Sequence, residues 1–292
     1  MDNMTAKVSC FARAYHHKNN SVHIFDDGVA EAILEKDYEE ISKSMIEGLP
    51  FFFPDFKGTK EEGLRQIVDK QLAPSVLGRS AFCKRKLAEE IKNGCGQYLI
   101  LASGYDTFSI RNTEKSLAVY ELDFPEILTD KRERIKRNNL DTTAVYVPCN
   151  FAEISWKNKL IKAGYEKGEK TFGSLLGISY YLQKEDFEKL LMNLSEIMTV
   201  DSAVCFDYPS IEESSETRTN QMLAAGAEEQ MKALYSNTEI VTLLQQCGFK
   251  LVEHLDSDEM TKQYFETYNK STKHMPMKAP KGVGYVLAKK VH

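Results

Sequence analysis

From Gln97 onward the chain alternates short, continuous apolar runs with helical stretches, and this alternation restricts its fold more than any other feature. The runs are Tyr98-Leu-Ile-Leu-Ala, Ser116-Leu-Ala-Val-Tyr-Glu-Leu-Asp, Thr143-Ala-Val-Tyr-Val-Pro, Thr171-Phe-Gly-Ser-Leu-Leu-Gly-Ile and Ser202-Ala-Val-Cys-Phe-Asp-Tyr. Runs of this length without polar alternation read as strands covered on both faces. Helical patterns from Pro125 to Asn138 and from Lys184 to Met198 separate them. Strand–helix alternation of this kind predicts an α/β fold, a doubly wound sheet with helices on both faces. Further on, Glu239 to Gly248 reads as an amphipathic helix closed by its glycine. Phe249-Lys-Leu-Val-Glu-His and Gly284-Tyr-Val-Leu-Ala-Lys-Lys add two strands, which makes seven.

The first 95 residues have a different texture and read as mostly helical. Asp26 and Asp27 precede Gly28-Val-Ala-Glu-Ala-Ile-Leu, the pattern of an acid-capped helix start. Phe51-Phe-Phe-Pro-Asp-Phe reads as an aromatic turn, in the core or beside a pocket. Val76, Leu77, Phe82, Leu87 and Ile91 recur at near-helical spacing, and Asn93-Gly94 ends that helix. The expected division is a helical cap over residues 1–95 and a sheet domain over 96–292. An acidic, polar insertion at about 211–235 reads as a lid or as a solvated surface helix.

Several functional classes recede on composition. Lys and Arg number 38 against 43 Asp and Glu, for a net charge of −5, which argues against nucleic-acid binding through bulk charge. No apolar run approaches the roughly 18 residues of a membrane span. The first residues lack a signal peptide's apolar stretch, so a cytoplasmic protein is expected. Cys10, Cys83, Cys95, Cys149, Cys205 and Cys247 are widely spaced and form no C-x-x-C pair, which predicts reduced thiols. His16, His17 and His23 are close in sequence, but no further ligand stands out at metal-site spacing, and no metal is expected.

In an open parallel sheet, ligands bind beyond the carboxyl ends of the strands. Three segments fall there. Ala102-Ser103-Gly104-Tyr105-Asp106 follows the first strand, and Gly104 permits close approach to the backbone. Glu121 and Asp123 end the second strand, where an acid can accept hydrogen bonds from ribose hydroxyls. Asn150 and Phe151 follow the third, a polar and aromatic pair suited to an adenine ring. The first turn is not G-x-G-x-x-G, which weakens a nicotinamide or flavin dinucleotide reading, and no G-x-x-x-x-G-K-[ST] loop is present. A nucleoside ligand without phosphates, such as S-adenosylmethionine, fits better.

These segments also resemble a known family. Gln97-Tyr-Leu-Ile-Leu-Ala-Ser-Gly-Tyr-Asp-Thr is similar to the QVVxLGAGxDTR segment of the leucine carboxyl methyltransferase family. Glu121-Leu-Asp-Phe-Pro is similar to its E-[VL]-D-x-P segment, Asp26-Asp27 to its FDD segment, and Ile178-Ser-Tyr-Tyr-Leu to its GVxMYL segment. Arg79 falls where that family has an arginine ahead of the first strand. The resemblance implies a class I, Rossmann-like methyltransferase fold with S-adenosylmethionine as methyl donor. It further implies that Arg79 pairs with the methionine carboxylate, that Ala102 and Gly104 lie along the ligand, and that Asp106 holds the turn or the amino group. Asp123 and Glu121 would take the ribose, and Asn150 with Phe151 the adenine. Tyr180 and Tyr181 would line the acceptor pocket, with Tyr15 and His16 from the cap. The sequence departs from the family pattern at Ala102 (for glycine), Phe108 (for arginine), Asn150 (for aspartate) and Leu176 (for an acid). The expected activity is methyl transfer to a carboxylate or hydroxyl of a small molecule. The alternatives are a protein carboxylate acceptor and a non-catalytic protein that binds the same cofactor.

Overall fold

The computed structural model describes residues 4–211, 232–272 and 275–292. One seven-stranded sheet organises the chain: β1 (Gln97–Leu101), β2 (Ala118–Asp123), β3 (Ala144–Pro148), β4 (Thr171–Leu175), β5 (Ala203–Pro209), β6 (Phe249–Leu255) and β7 (Val283–Lys290). The strand order is β3-β2-β1-β4-β5-β7-β6. Neighbours from β3 to β5 are parallel, and β7 runs antiparallel to both β5 and β6. Each apolar run becomes a strand. The fourth stops at Leu175 rather than Ile178, because the chain turns through Gly177 at φ +70°.

Six helices precede the sheet: α1 (Met4–Asn19), α2 (Ala30–Leu34), α3 (Asp37–Glu47), α4 (Leu49–Phe52), α5 (Lys60–Ile67) and α6 (Ala73–Lys92). A π-helical turn, Val68–Leu72, joins the last two. Within the sheet region come α7 (Phe108–Arg111), α8 (Pro125–Arg137), α9 (Trp156–Lys162), α10 (Lys184–Ile197) and α11 (Asn237–Gln246). Among the described residues no helix is long and apolar enough to cross a membrane.

Successive side chains of a strand face opposite sides of the sheet. Tyr98 and Ile100 of β1 therefore join a core built from α1, α2 and α6, while Leu99 and Leu101 join one built from α9, α10 and α11. Complete burial of a side chain such as Leu99 or Phe172 stabilises by about 1.5–3 kcal/mol. The cap region is continuous with the first of these cores, since Phe11 of α1 and Leu77 of α6 belong to the same cluster as Phe172 of β4.

One local expectation is corrected, and another is decided between its alternatives. Asp26 and Asp27 do not cap α2, whose N-cap is Val29 without a side-chain bond, because both carboxylates are engaged by basic partners. Of the two placements open to the aromatic turn, the structure takes the one beside a pocket and not the core: Phe51 is 68 % exposed, because α4 lies at the rim of a cavity rather than against the sheet. Of the insertion expected at 211–235, residues 212–231 lie outside the described residues.

Candidate functional site

The strand order reverses between β1 and β4, so the chain leaves their carboxyl ends in opposite directions and a crevice opens there. A cavity of about 1110 Å³ occupies this position. Pockets for one small ligand typically span about 300–1,000 Å³, so this one has room for two reactants side by side. Its floor is Ile100 to Asp106, Asp123, Phe124 and Leu176 to Ile178, and its roof is the first turns of α1 from Met4 to Ser9, with Arg13.

The turn after β1 is tightly specified. Ala102 and Gly104 both adopt left-handed backbone conformations, with φ of 51° and 48°. Gly104 N–H donates to Asp123 Oδ2 at 2.7 Å, and Phe124 N–H donates to Asp123 Oδ1 at 2.7 Å. Asp123 thus clamps the end of β2 to the turn and does not serve as the side-chain cap of α8. Burial pushes its carboxyl above the usual carboxylate range, and the two backbone N–H groups oppose that rise. A Cβ on Gly104 would stand 3.0 Å from Ala6 Cβ, so a glycine here lets α1 close over the turn. Ser103 Oγ is buried at the cavity wall without a hydrogen-bond partner. Asp106 Oδ1 accepts from Phe108 N–H at 2.7 Å, which holds the start of α7.

Across the cavity, Arg79 of α6 lies over Gly177, where a Cβ would sit 3.0 Å from the guanidinium carbon. Its nearest acceptors are distant for charge-assisted bonds: Ser9 Oγ at 3.3 Å and Asp207 Oδ2 at 3.6 Å. Asp207, at the end of β5, is fully buried and accepts from Gly177 N–H at 2.7 Å and from the Tyr180 hydroxyl at 3.0 Å. Burial, reinforced by the Asp207 charge, raises the Tyr180 phenol well above its ordinary value, so it stays protonated at neutral pH.

The roof is strapped down by Asp27. Its carboxylate, fully buried, takes Arg13 Nε at 2.8 Å and Thr107 Oγ1 at 2.7 Å, with Arg111 Nε at 3.3 Å. Burial acts to raise this carboxyl, but the two guanidinium groups outweigh it and hold it below the usual range. Arg13 also donates to the Tyr105 carbonyl at 2.7 Å, which ties α1 to the turn after β1.

The cavity brings together Arg79, Ala102, Gly104, Asp106, Asp123, Tyr180 and Tyr181 from the candidates read in the sequence. The remaining candidates lie elsewhere. Glu121 is fully buried, pairs with Lys131 and accepts from Ser109 Oγ at 2.6 Å, so it holds α8 and α7 to the sheet rather than facing a ligand. Asn150 Oδ1 accepts from Ala152 N–H at 3.0 Å in a local turn, and Phe151 packs edge-on against Trp156. Tyr15 belongs to the α1 core, and His16 is buried with Nε2 accepting from Ile24 N–H at 3.0 Å. Burial lowers the His16 imidazole to about 3, so it remains neutral. Neither residue lines the cavity, because both point from α1 away from the crevice.

Sequence reasoning missed Arg13, Asp207 and Phe124, and it gave Asp27 a capping role instead of its place under the roof. Asp207 carried a readable signal, an acid ending an apolar run as Asp123 does. Phe124 is an exposed aromatic at the cavity rim directly after Asp123.

The sequence profile of the family described as "Leucine carboxyl methyltransferase" matches residues 6–195. A Bacillus subtilis (strain 168) protein named "Putative S-adenosyl-L-methionine-dependent methyltransferase YktD" is 34 % identical over 277 residues, covering 90 % of this chain and 91 % of that one. A Mycobacterium marinum protein with the same general description is 30 % identical over 159 residues, about half of each chain. Among solved structures, a DUF574 family protein from Streptomyces avermitilis superposes with a TM-score of 0.57 at 15 % identity, covering 85 % of this chain and 97 % of that one. A "putative methyltransferase" from Thermobifida fusca gives 0.56 at 13 % identity, covering 85 % and 94 %. These two likenesses concern the fold.

Proposed function

The chain belongs to the leucine carboxyl methyltransferase family, and from that premise we propose that it is an S-adenosylmethionine-dependent methyltransferase acting on an oxygen of a small molecule, a carboxylate before a hydroxyl. The observation that carries this reading is the convergence of Asp123, the Ala102–Gly104 turn and Arg79 on one cavity at the reversal of strand order.

The residues present fit the methyl donor. Each oxygen of Asp123 accepts one backbone N–H, which leaves lone pairs for a ribose diol. Arg79 is held only by long contacts, so its fork is free to take an amino-acid carboxylate. Ser103 Oγ supplies a buried hydroxyl in need of a partner. The ring of Phe124 offers a face for the purine, a role for which Asn150 and Phe151 lie outside the cavity. When bound, S-adenosylmethionine supplies a methyl group activated by a positively charged sulfur.

The rest of the work is positional. Orientation of two reactants in a closed site can supply about 7–11 kcal/mol of a barrier. A carboxylate acceptor is ionised at neutral pH and needs no base. The acids at the cavity favour such an acceptor, since they are committed to other partners. Asp37 pairs with Arg134 and Lys7, Glu40 with Lys36 at 3.4 Å, Asp106 and Asp123 accept backbone N–H groups, and the Tyr180 hydroxyl donates a hydrogen bond to Asp207.

Calorimetric titration with S-adenosylmethionine and S-adenosylhomocysteine tests the reading. Micromolar binding to the wild type is expected, weakened at least about tenfold in Arg79→Ala through loss of a charge-assisted pair. Folded wild-type protein that binds neither compound would overturn the proposal. A screen of carboxylic acids against phenols and alcohols, read as S-adenosylhomocysteine release, then ranks the acceptors.

A further inference from the structure

We propose that His17, His23 and Asp26 form a binding site for a divalent transition-metal ion of the zinc class, on the outer end of α1 and remote from the cavity. The carboxylate overlooked in the sequence is Asp26, three residues beyond His23. The loop after α1 folds back and sets it against the last turn of that helix. Asp26 Oδ1 lies 2.6 Å from His17 Nδ1 and 3.6 Å from His23 Nδ1, and the two imidazole rings stack with centroids 5.0 Å apart. All three candidate ligand atoms fall within 4.8 Å of one another. A tetrahedral zinc with bonds of about 2.0–2.1 Å separates its ligand atoms by roughly 3.3 Å. The observed separations bracket that value, and the exposed Asp26 side chain can shift by the roughly 0.7 Å that the shorter contact requires.

The hydrogen bonding of His23 adds to this geometry. Its Nε2 lies 3.1 Å from the His17 carbonyl oxygen, which can only accept, so Nε2 carries a hydrogen. Nδ1 is then the nitrogen left to ligate, and it is turned toward the Asp26 oxygen that His17 Nδ1 also contacts. An N–H bonded to a backbone carbonyl on the far side of the ring is also the usual support of a metal-ligating histidine. Two imidazoles, one carboxylate and open solvent positions suit zinc, cobalt or nickel better than calcium or magnesium. His16 takes no part, because its Nε2 already accepts from Ile24 N–H. Gly28 makes room, since a Cβ there would meet the His17 ring at 3.2 Å.

The position gives the ion a structural task. The chain between His17 and Asp26 is the loop that delivers the neighbouring Asp27 to Arg13 and Thr107. An ion held at its two ends would close that loop and stiffen the strap on α1.

The test is titration of tag-free, chelator-treated protein with zinc chloride, and with cobalt chloride followed by visible absorption. One equivalent of zinc at micromolar affinity is expected, with a rise in melting temperature that a chelator reverses. His23→Gln keeps a donor for the His17 carbonyl while removing the ligand nitrogen, and Asp26→Asn removes the ligand charge. Each is expected to weaken zinc by at least the roughly 10–100-fold typical of losing an outer-shell partner, while His292→Ala leaves it unchanged. Absence of saturable binding in the wild type, or undiminished affinity in both His23→Gln and Asp26→Asn, would overturn the site.

Discussion

Ala102 holds φ at 51°, a backbone region that costs an L-residue about 1–2 kcal/mol. The related family has glycine there, so the chain keeps a glycine conformation with a methyl group added. Ala102→Gly is expected to stabilise the fold by about 0.5–1 kcal/mol after the entropic cost of glycine. Urea denaturation reads it, and a loss of stability would mean that the methyl's packing on the core outweighs the strain. The sequence showed a small-residue turn here, but not which residue would turn left-handed, because that depends on Asp123 clamping the turn from another strand. Asp69 makes a second case. Both its oxygens are buried without hydrogen bonds, Arg65 Nε stands 3.2 Å away, and burial pushes the carboxyl up to about 6. Since the unfolded group titrates near 3.9, the folded chain binds more protons between about 4 and 6. This group's contribution is therefore complete below about pH 4 and is lost as pH rises toward 6. Asp69→Asn removes the titration, so its stability relative to wild type is expected to improve by about 2 kcal/mol between pH 4.5 and 7. Denaturation midpoints at the two pH values check this, and a constant difference would contradict it.

At the scale of elements, the roof of the cavity depends on a connection between distant parts of the chain. Asp27 joins Arg13 of α1 to Thr107 beside α7, and breaking a buried pair of this kind costs about 3–5 kcal/mol. Asp27→Asn is expected to lose much of that. Amides of α1 would then exchange hydrogen faster, while those of β1 keep their protection wherever the sheet stays folded. Equal acceleration in both elements would show that α1 opens only with the whole molecule. The aspartate pair was conspicuous in the sequence, yet its role was misread as helix capping. Capping is local and legible over four residues, whereas Arg13 and Thr107 are 14 and 80 positions away. Glu121 was misread for the same reason. It ends an apolar run as a ligand-binding acid would, and only the packing of α8 reveals Lys131 beneath it.

For the whole molecule, the strands were legible because each is an apolar run closed by small or polar residues; β1, β2, β4, β5 and β7 are buried on both faces, whereas the edge strands β3 and β6 are only partly covered. The line along which β1 and β4 part was legible too, through the turn at Gly104. The far wall built by Asp207 and Tyr180 was not, since it arises from strand order rather than from any one segment. That order also has a consequence for synthesis. β7 is the last strand in the chain, yet it lies between β5 and β6. The parallel strands can pair as they emerge, but β6 has no neighbour until residues 283–290 arrive. At about 5–20 residues per second the nascent chain carries β6 unpaired for several seconds. Its irregular register between Leu251 and Glu253, with Lys250 and Glu253 beside it, is the kind of bent and charged edge that resists pairing with a stranger in that interval.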